Sequence, residues 1–219
     1  KRIVMISIQQ EICNFSKKLI DQGLNHAATG NISVREENFF YITPSGIPGD
    51  LLTSKDIVKC KIGINEKEIS EMSLKPSSEW QFHQDIYFKR NDVQAIIHTH
   101  SCYASAVSAL RDSIPSFNYM VALFGGKTIN CSDYELFGTK QLSNKILKAL
   151  GSQKGCLIAN HGSVVVSEDL ENAFYLSQEL EHLAKQYLEL KKIGEFTLLT
   201  DLQMDNVLSK FSNYGPKKF

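Results

Sequence analysis

The chain has 219 residues, 42% of them hydrophobic, and its 24 Lys+Arg balance 24 Asp+Glu to a net charge of zero. That length suffices for one sizeable core, and the neutral balance excludes capture of nucleic acid or an anionic membrane by a general positive field. The five cysteines, Cys13, Cys60, Cys102, Cys131 and Cys156, are scattered without a C-x-x-C pair, which points away from a disulfide framework or a Cys-based zinc site and toward a reducing cytoplasm. No apolar run approaches the roughly 18–20 residues of a membrane span, and the Lys-Arg start followed by "IVMISIQQEIC" turns polar too soon for a signal peptide.

In chain order, residues 4–22 predict an amphipathic helix, with Ile8, Ile12, Phe15 and Leu19 at three- and four-residue spacing and Gly23 placed to stop it. "NISVR" and "FFYIT" read as hairpin strands joined by the polar "EEN", and "TPSGIPGD" is a loop by its Pro and Gly content. The strand-like "DIVKCKI" leads through polar residues up to Leu74 into "KPSSEWQFHQDIYFKRN". This reads as a helix entered through Pro76, with Ser78 and Gln81 fitting an S-x-x-Q capping box. The strand "VQAIIH" follows, then a helix of small side chains over 101–110, "FGGKTINC" as loop and strand, and an amphipathic helix over 139–150 ended at Gly151. "GCLIANHGSVVVS" predicts a β-hairpin, and a long helix over about 168–193 opens at Ser167 with Glu168 and Asp169 in its first turn. Strands separated by helices, with no linker, charge block or repeat, predict a single α/β domain over 1–219 with helices packed on a central sheet. The hairpins make that sheet mixed rather than wholly parallel, and the absence of G-x-G-x-x-G and G-x-x-x-x-G-K-[ST] removes the main nucleotide-binding readings.

In a strand, residues i and i+2 share a face, so "AIIHTH" kept extended to its end presents His98 and His100 side by side with Thr99 turned away. The pair alone fits either a shared cation or one hydrogen-bonded core histidine beside a turn histidine. His161, in "LIANHGSVV", again lies where an apolar strand gives way to Gly162, so two strand ends can meet on one rim of the sheet; its plainer reading is a turn histidine. Three imidazoles with an open fourth position make the arrangement of a catalytic zinc. Glu79 is the candidate acid/base, against the plainer reading that Ser78 and Glu79 only cap a helix. Beside a dication its carboxylate is held ionised unless Trp80 and Phe82 desolvate it, a balance the sequence leaves open. His83, one turn on, packs against or orients that carboxylate. "TGNIS", "TPSG" and "PSSE" each offer hydroxyls or N–H groups that suit an anion, and each is also ordinary turn chemistry.

In order along nearly the whole chain, "GNIS", "TPSG", "KPSSEW..H", "HTH", "IPSFNYM", "GGKTI", "YELFGT", "NHG" and "KFSNYG" resemble the class II aldolase family. That family includes the adducin head domain, and the resemblance is strongest to its L-fuculose-1-phosphate aldolases. It implies a three-layer α/β/α sandwich around a mixed, largely antiparallel sheet, assembled as a homotetramer with active sites between subunits. It also implies His98, His100 and His161 as ligands of one zinc ion per subunit, and Glu79 as the acid/base. Gly30 and Asn31, Ser45 and Gly46, and Ser77 and Ser78 fall on phosphate-binding positions. Tyr119 matches a catalytic tyrosine reaching in from the neighbouring subunit, and Tyr214 one on a mobile tail over about residues 212–219. Asn160 stands where the fuculose-phosphate enzymes often have another His, Asn118-Tyr119-Met120 replaces the family's "HYM", and residues 116–124 are read as shaping an aldehyde pocket.

The activity so implied is reversible cleavage of a ketose 1-phosphate, L-fuculose 1-phosphate first, to dihydroxyacetone phosphate and L-lactaldehyde through a zinc-stabilised enediolate. Alternatives within the resemblance are aldolases or dehydratases of 5-deoxyribulose or methylthioribulose phosphate, decarboxylases of keto-acid phosphates, and pentulose-phosphate 4-epimerases, which usually carry Asp where this chain has Glu79. A different class is an adducin-like binding module without catalysis, a branch that lacks the histidine triad. The partners implied are a small sugar phosphate and further copies of this chain, with no nucleic acid and no membrane.

Overall fold

The computed structural model of the chain describes residues 6–211, and Tyr214 lies outside them. The first half comprises α1 (Ile8–Asp21), β1 (Asn31–Glu36), β2 (Phe39–Ile42), β3 (Val58–Lys61), α2 (Glu66–Glu71), α3 (Trp80–Lys89) and β4 (Ala95–Thr99). The second comprises α4 (Cys102–Leu110), a 3-10 turn (Tyr119–Phe124), α5 (Lys140–Leu150), β5 (Gly155–Ile158), β6 (Gly162–Ser167), α6 (Leu170–Ile193) and α7 (Asp201–Phe211). The strands form one six-stranded sheet in the order β3-β2-β1-β4-β6-β5, every pairing between them antiparallel. The parallel part of the expected mixed sheet is a bridge from Cys131 to Leu157.

Alternation along the central strand separates the layers. Ala95 and Ile97 of β4 enter a core with Ile12, Leu19, Val107, Leu180, Leu183 and Met204, beneath α1, α4, α6 and α7. Ile96 turns the other way, to Trp80, Phe82, Ile86, Leu142 and Ile146 of α3 and α5. The result is the α/β/α sandwich, with β4 buried along both faces, which is why "AIIHT" reads as continuously apolar before the histidine. In α1, Ser7 Oγ accepts from the Gln10 N–H at 3.2 Å and starts the helix. Its buried Ile12, Phe15 and Leu19 hold it to the sheet, each side chain contributing roughly 1.5–3 kcal/mol.

Several expectations change at element ends. The Ser78–Gln81 capping box does not form: α3 is capped by Glu79 without a side-chain bond. Residues 76–78 are instead stitched to the loop after β2, where the Ser77 N–H donates to Thr43 O at 2.9 Å and the Ser78 N–H to Ser45 Oγ at 2.8 Å. The long helix is capped by Asp169, which accepts from the Asn172 N–H at 2.7 Å, because Ser167 is still the last residue of β6. "FGGKTINC" makes bridges at Ile129 and Cys131 rather than a strand. Two helices were not read from the sequence: α2, held by an Asn65–Glu68 capping box, and α7, which buries Met204. Among the described residues no helix is long and apolar enough to cross a membrane.

The start of α4 is held from another helix. Ser101 makes no side-chain cap there; both Glu181 carboxylate oxygens, from α6, accept the N–H groups of Tyr103 and Ala104 at 2.8 Å. Glu181→Ala orphans two donors and is expected to lower unfolding free energy in urea by about 1–3 kcal/mol, with Glu181→Gln, which keeps one accepting oxygen, losing less. Equal midpoints for wild type and Glu181→Ala would show that the cap contributes nothing.

Candidate functional site

Two strand ends and one helix start bring four side chains together. β4 delivers His98 at its last turn of pleat and His100 just beyond, while the tight β5–β6 turn delivers His161. Asn160 makes that turn with a left-handed φ of 55°, a conformation asparagine tolerates. The Asn160 N–H donates to Ser108 O at 3.1 Å, and Ser105 Oγ donates to His161 O at 3.3 Å. Small residues of α4 therefore let the turn sit close. Asn25 holds the other side: its Oδ1 accepts from the His100 N–H at 2.9 Å, and its Nδ2 lies 3.5 Å from His98 O.

The rings form a near-equilateral triangle, with centroid separations of 4.7, 4.7 and 4.9 Å. His98 Nδ1 lies 2.8 Å from the Ser163 carbonyl oxygen. A carbonyl only accepts, so Nδ1 carries a proton and Nε2 faces the centre, 2.9 Å from His100 Nε2. Thr99 turns away, its hydroxyl 2.9 Å from Ser163 Oγ. Glu79 completes the group, with Oε2 3.1 Å from His98 Nε2 and Oε1 3.3 Å from His161 Nε2.

Charge is distributed unevenly in this cluster. Burial alone raises the Glu79 carboxyl, but His98, His161 and the Asn31 amide overcome it and hold the group well below the usual carboxylate range. The balance left open by the sequence thus goes to the charge partners, even with Trp80 and Phe82 buried alongside. Burial lowers His98, and Glu79 more than offsets this to leave it raised. Burial, then His98, pushes His100 down to about 3 and His161 to about 4. Two of the three imidazoles are therefore neutral at neutral pH, with lone pairs available.

These residues fit a divalent metal. The four ligand atoms lie within 4.8 Å of one another, and Glu79 Oε1 is buried without a hydrogen-bond partner. An all-imidazole set with an adjoining carboxylate suits a first-row dication.

The cluster opens onto a cleft of about 460 Å³ lined by Gly30, Asn31, Ser45, Gly46, Ser77, Ser78, Glu79, His100 and His161. All six candidate anion-binding positions thus line one cleft. Gly30 has a φ of 69°, and an added Cβ there would lie 2.5 Å from His98 O and as close to the Asn25 amide, so the loop can approach the strand only as glycine. The Asn31 side chain does not hang free: its Nδ2 donates to Ser77 Oγ and Glu79 Oε2, both at 3.0 Å.

Tyr119 is placed elsewhere. It is 54% exposed and borders a different hollow with Met120, Tyr175 and Phe211, outside the cleft of its own chain. Lining residues missed from the sequence include Tyr134, Glu135 and Phe137. Their segment was visible only as "YELFGT", and the Gly138 that lets it fold against Ser78 O was the available signal.

A family model described as Class II Aldolase and Adducin N-terminal domain matches residues 10–188. A 5-methylthioribulose-1-phosphate/5-deoxyribulose-1-phosphate aldolase of Rhodospirillum rubrum is 38% identical, over 96% of this chain and 93% of its own. An L-fuculose phosphate aldolase of Escherichia coli is 39% identical over 95% of each chain. A solved structure of an L-fuculose 1-phosphate aldolase superposes with a TM-score of 0.88 at 36% identity, covering 95% of this chain and 98% of that one.

Proposed function

Since the chain belongs to the class II aldolase and adducin family, we propose that it is a metal-dependent aldehyde-lyase acting on a ketose 1-phosphate. The products are dihydroxyacetone phosphate and a short aldehyde, with L-fuculose 1-phosphate and L-lactaldehyde as the first pair. The observation that carries this reading is the meeting of three imidazoles and the Glu79 carboxylate beside a cleft that is also lined by glycine and serine segments.

Breaking the C3–C4 bond leaves its electron pair on the C2–C3 unit as an enediolate, and the C4 hydroxyl loses its proton as the aldehyde departs. When bound by His98, His100 and His161, a divalent metal, zinc in this reading and one per subunit, supplies Lewis-acid stabilisation of the charge on the ketone oxygen. Glu79, ionised at rest, removes the C3 proton in the condensation direction; in cleavage it first takes up a proton from solvent in the cleft and then delivers it to C3. Tyr119 of a neighbouring copy takes the C4 hydroxyl proton; its exposure on its own chain supports a role across the interfaces of a homotetramer. Gly30, Asn31, Ser45, Gly46, Ser77 and Ser78 hold the phosphate through N–H and O–H donors. Five unpaired cysteines suit a reducing cytoplasm.

A second reading, 5-deoxyribulose 1-phosphate or methylthioribulose 1-phosphate as substrate, is favoured by the relative from Rhodospirillum rubrum, level in identity with the fuculose phosphate aldolase. All these substrates share the dihydroxyacetone phosphate half and differ in the aldehyde. A turnover panel of fuculose, rhamnulose, 5-deoxyribulose and methylthioribulose 1-phosphates separates them. Dihydroxyacetone phosphate should appear from one or more, with the rate falling at least about a hundredfold after chelation, the loss of several kcal/mol of charge stabilisation. No release from any of the four by metal-loaded protein would sink the reading.

A further inference from the structure

Beneath the cleft, two rows of polar side chains interlock. On β1, Asn31 and Ser33 stand two residues apart on the face opposite Ile32. On α3 and its cap, Glu79, His83 and Tyr87 recur every four residues along one stripe. Asn31 Nδ2 donates to Glu79 Oε2 at 3.0 Å, and Asn31 Oδ1 lies 2.5 Å from His83 Nε2. His83 Nδ1 lies 2.7 Å from Ser33 Oγ, which lies 2.8 Å from the Tyr87 phenol oxygen. Ser33, His83 and Tyr87 are fully buried, so water does not supply alternative partners. The His83 ring is further held by stacking on Phe82, centroids 4.4 Å apart.

The direction of every bond follows from the Asn31 amide. Its NH2 donates to both Glu79 Oε2 and Ser77 Oγ, which leaves its oxygen toward His83. That oxygen only accepts, so His83 carries its proton on Nε2 and offers Nδ1 as acceptor. Ser33 donates to Nδ1 and in turn accepts from the Tyr87 hydroxyl. Burial, followed by the nearby His98, pushes His83 down to about 3 and keeps it neutral; burial raises the Tyr87 phenol, which stays protonated. Reversing any one member would set two acceptors or two donors face to face in a dry interior.

We propose that His83 and Ser33 are positioning residues: they fix the amide orientation of Asn31, which holds Glu79 by Oε2 and leaves Oε1 free for proton transfer. Glu79 Oε1 is buried without a hydrogen-bond donor, with His161 Nε2 3.3 Å away. The inference rests on the reading of Glu79 as the acid/base.

The test has a spectroscopic and a kinetic arm. Long-range ¹H–¹⁵N correlation on histidine-labelled, metal-loaded protein should show His83 neutral with the proton on Nε2; an Nδ1–H tautomer or an imidazolium would overturn the relay. His83→Phe keeps a ring but removes the N–H, and should lower kcat about 10–100-fold with metal content unchanged. His83→Gln, whose side-chain nitrogen sits near the Nε2 position, should recover most of that loss. Wild-type kcat in His83→Phe, or equal losses in both variants, would reduce His83 to a packing residue. Should His83→Phe fail to fold, the wild-type tautomer decides alone. Protein that cleaves no ketose 1-phosphate yet shows the Nε2–H tautomer would sink the functional reading; an active enzyme with the opposite tautomer would sink only the relay.

Discussion

Glu79→Gln is expected to retain its metal and lose about 10²–10⁴ in kcat, the range of a positioned general acid/base. The two side chains have nearly the same shape, and the amide oxygen can still accept from Asn31, which now holds Oε2 at 3.0 Å. What the amide lacks is the ability to take up and release a proton at the position of Oε1, beside His161 Nε2. The sensitive measurement is solvent exchange of the dihydroxyacetone phosphate proton, which needs no aldehyde and therefore isolates the step at C3. Metal stoichiometry should stay at the wild-type value because three imidazoles remain. Full exchange in the variant would remove Glu79 from the mechanism.

Gly162→Ala should damage the site from behind. Gly162 pairs with Ile158 at the mouth of the β5–β6 turn, and Ser163 pairs with Thr99. An added Cβ would overlap the Thr99 carbonyl oxygen and come within 3.2 Å of its carbon; both are backbone, so neither can rotate aside. The strand carrying His98 must then separate from the turn carrying His161, and a triangle of rings under 5 Å on each side opens. The expected cost is about 1–3 kcal/mol of stability, as for other overpacked sites. Metal affinity should fall about 10–100-fold, the usual effect of disturbing the support of a ligand set. Urea unfolding and competition with a chromogenic chelator measure the two separately. Wild-type affinity in Gly162→Ala would mean that the strands do not set the ligand spacing.

The part of this architecture legible from sequence is the part governed by local period. Strands with continuous apolar runs, an amphipathic α1 and the Pro-Gly loop after β2 follow from spacing alone, and so does the common face of His98 and His100. Elements with little burial of their own were harder. The helix over Asp201–Phe211 fully buries only Met204, with Val207, Leu208 and Phe211 of the same stripe only partly covered, and the segment around Ile129 is held by two isolated bridges. The Ser78–Gln81 box met the local rule for a cap but lost to Ser45 and Thr43, partners more than thirty residues away in the chain. The polar rows at Asn31–Ser33 and Glu79–His83–Tyr87 were present as two-residue and four-residue spacings, yet nothing local says that one row faces the other.

By itself, then, the sequence determined the residue types, the periods and the family resemblance: which imidazoles share a strand end, which carboxylate opens a helix, and where glycine permits a close approach. Only the tertiary structure decided what those groups do to one another. It set the charge partners of Glu79 against its burial, gave His98 a carbonyl that orients its ring, engaged the Asn31 amide, and kept Tyr119 out of its own chain's cleft. The physical reason is range. Backbone period and side-chain propensity act over a few residues, whereas desolvation, ion pairing and hydrogen-bond direction depend on neighbours brought from 19 to 82 positions away.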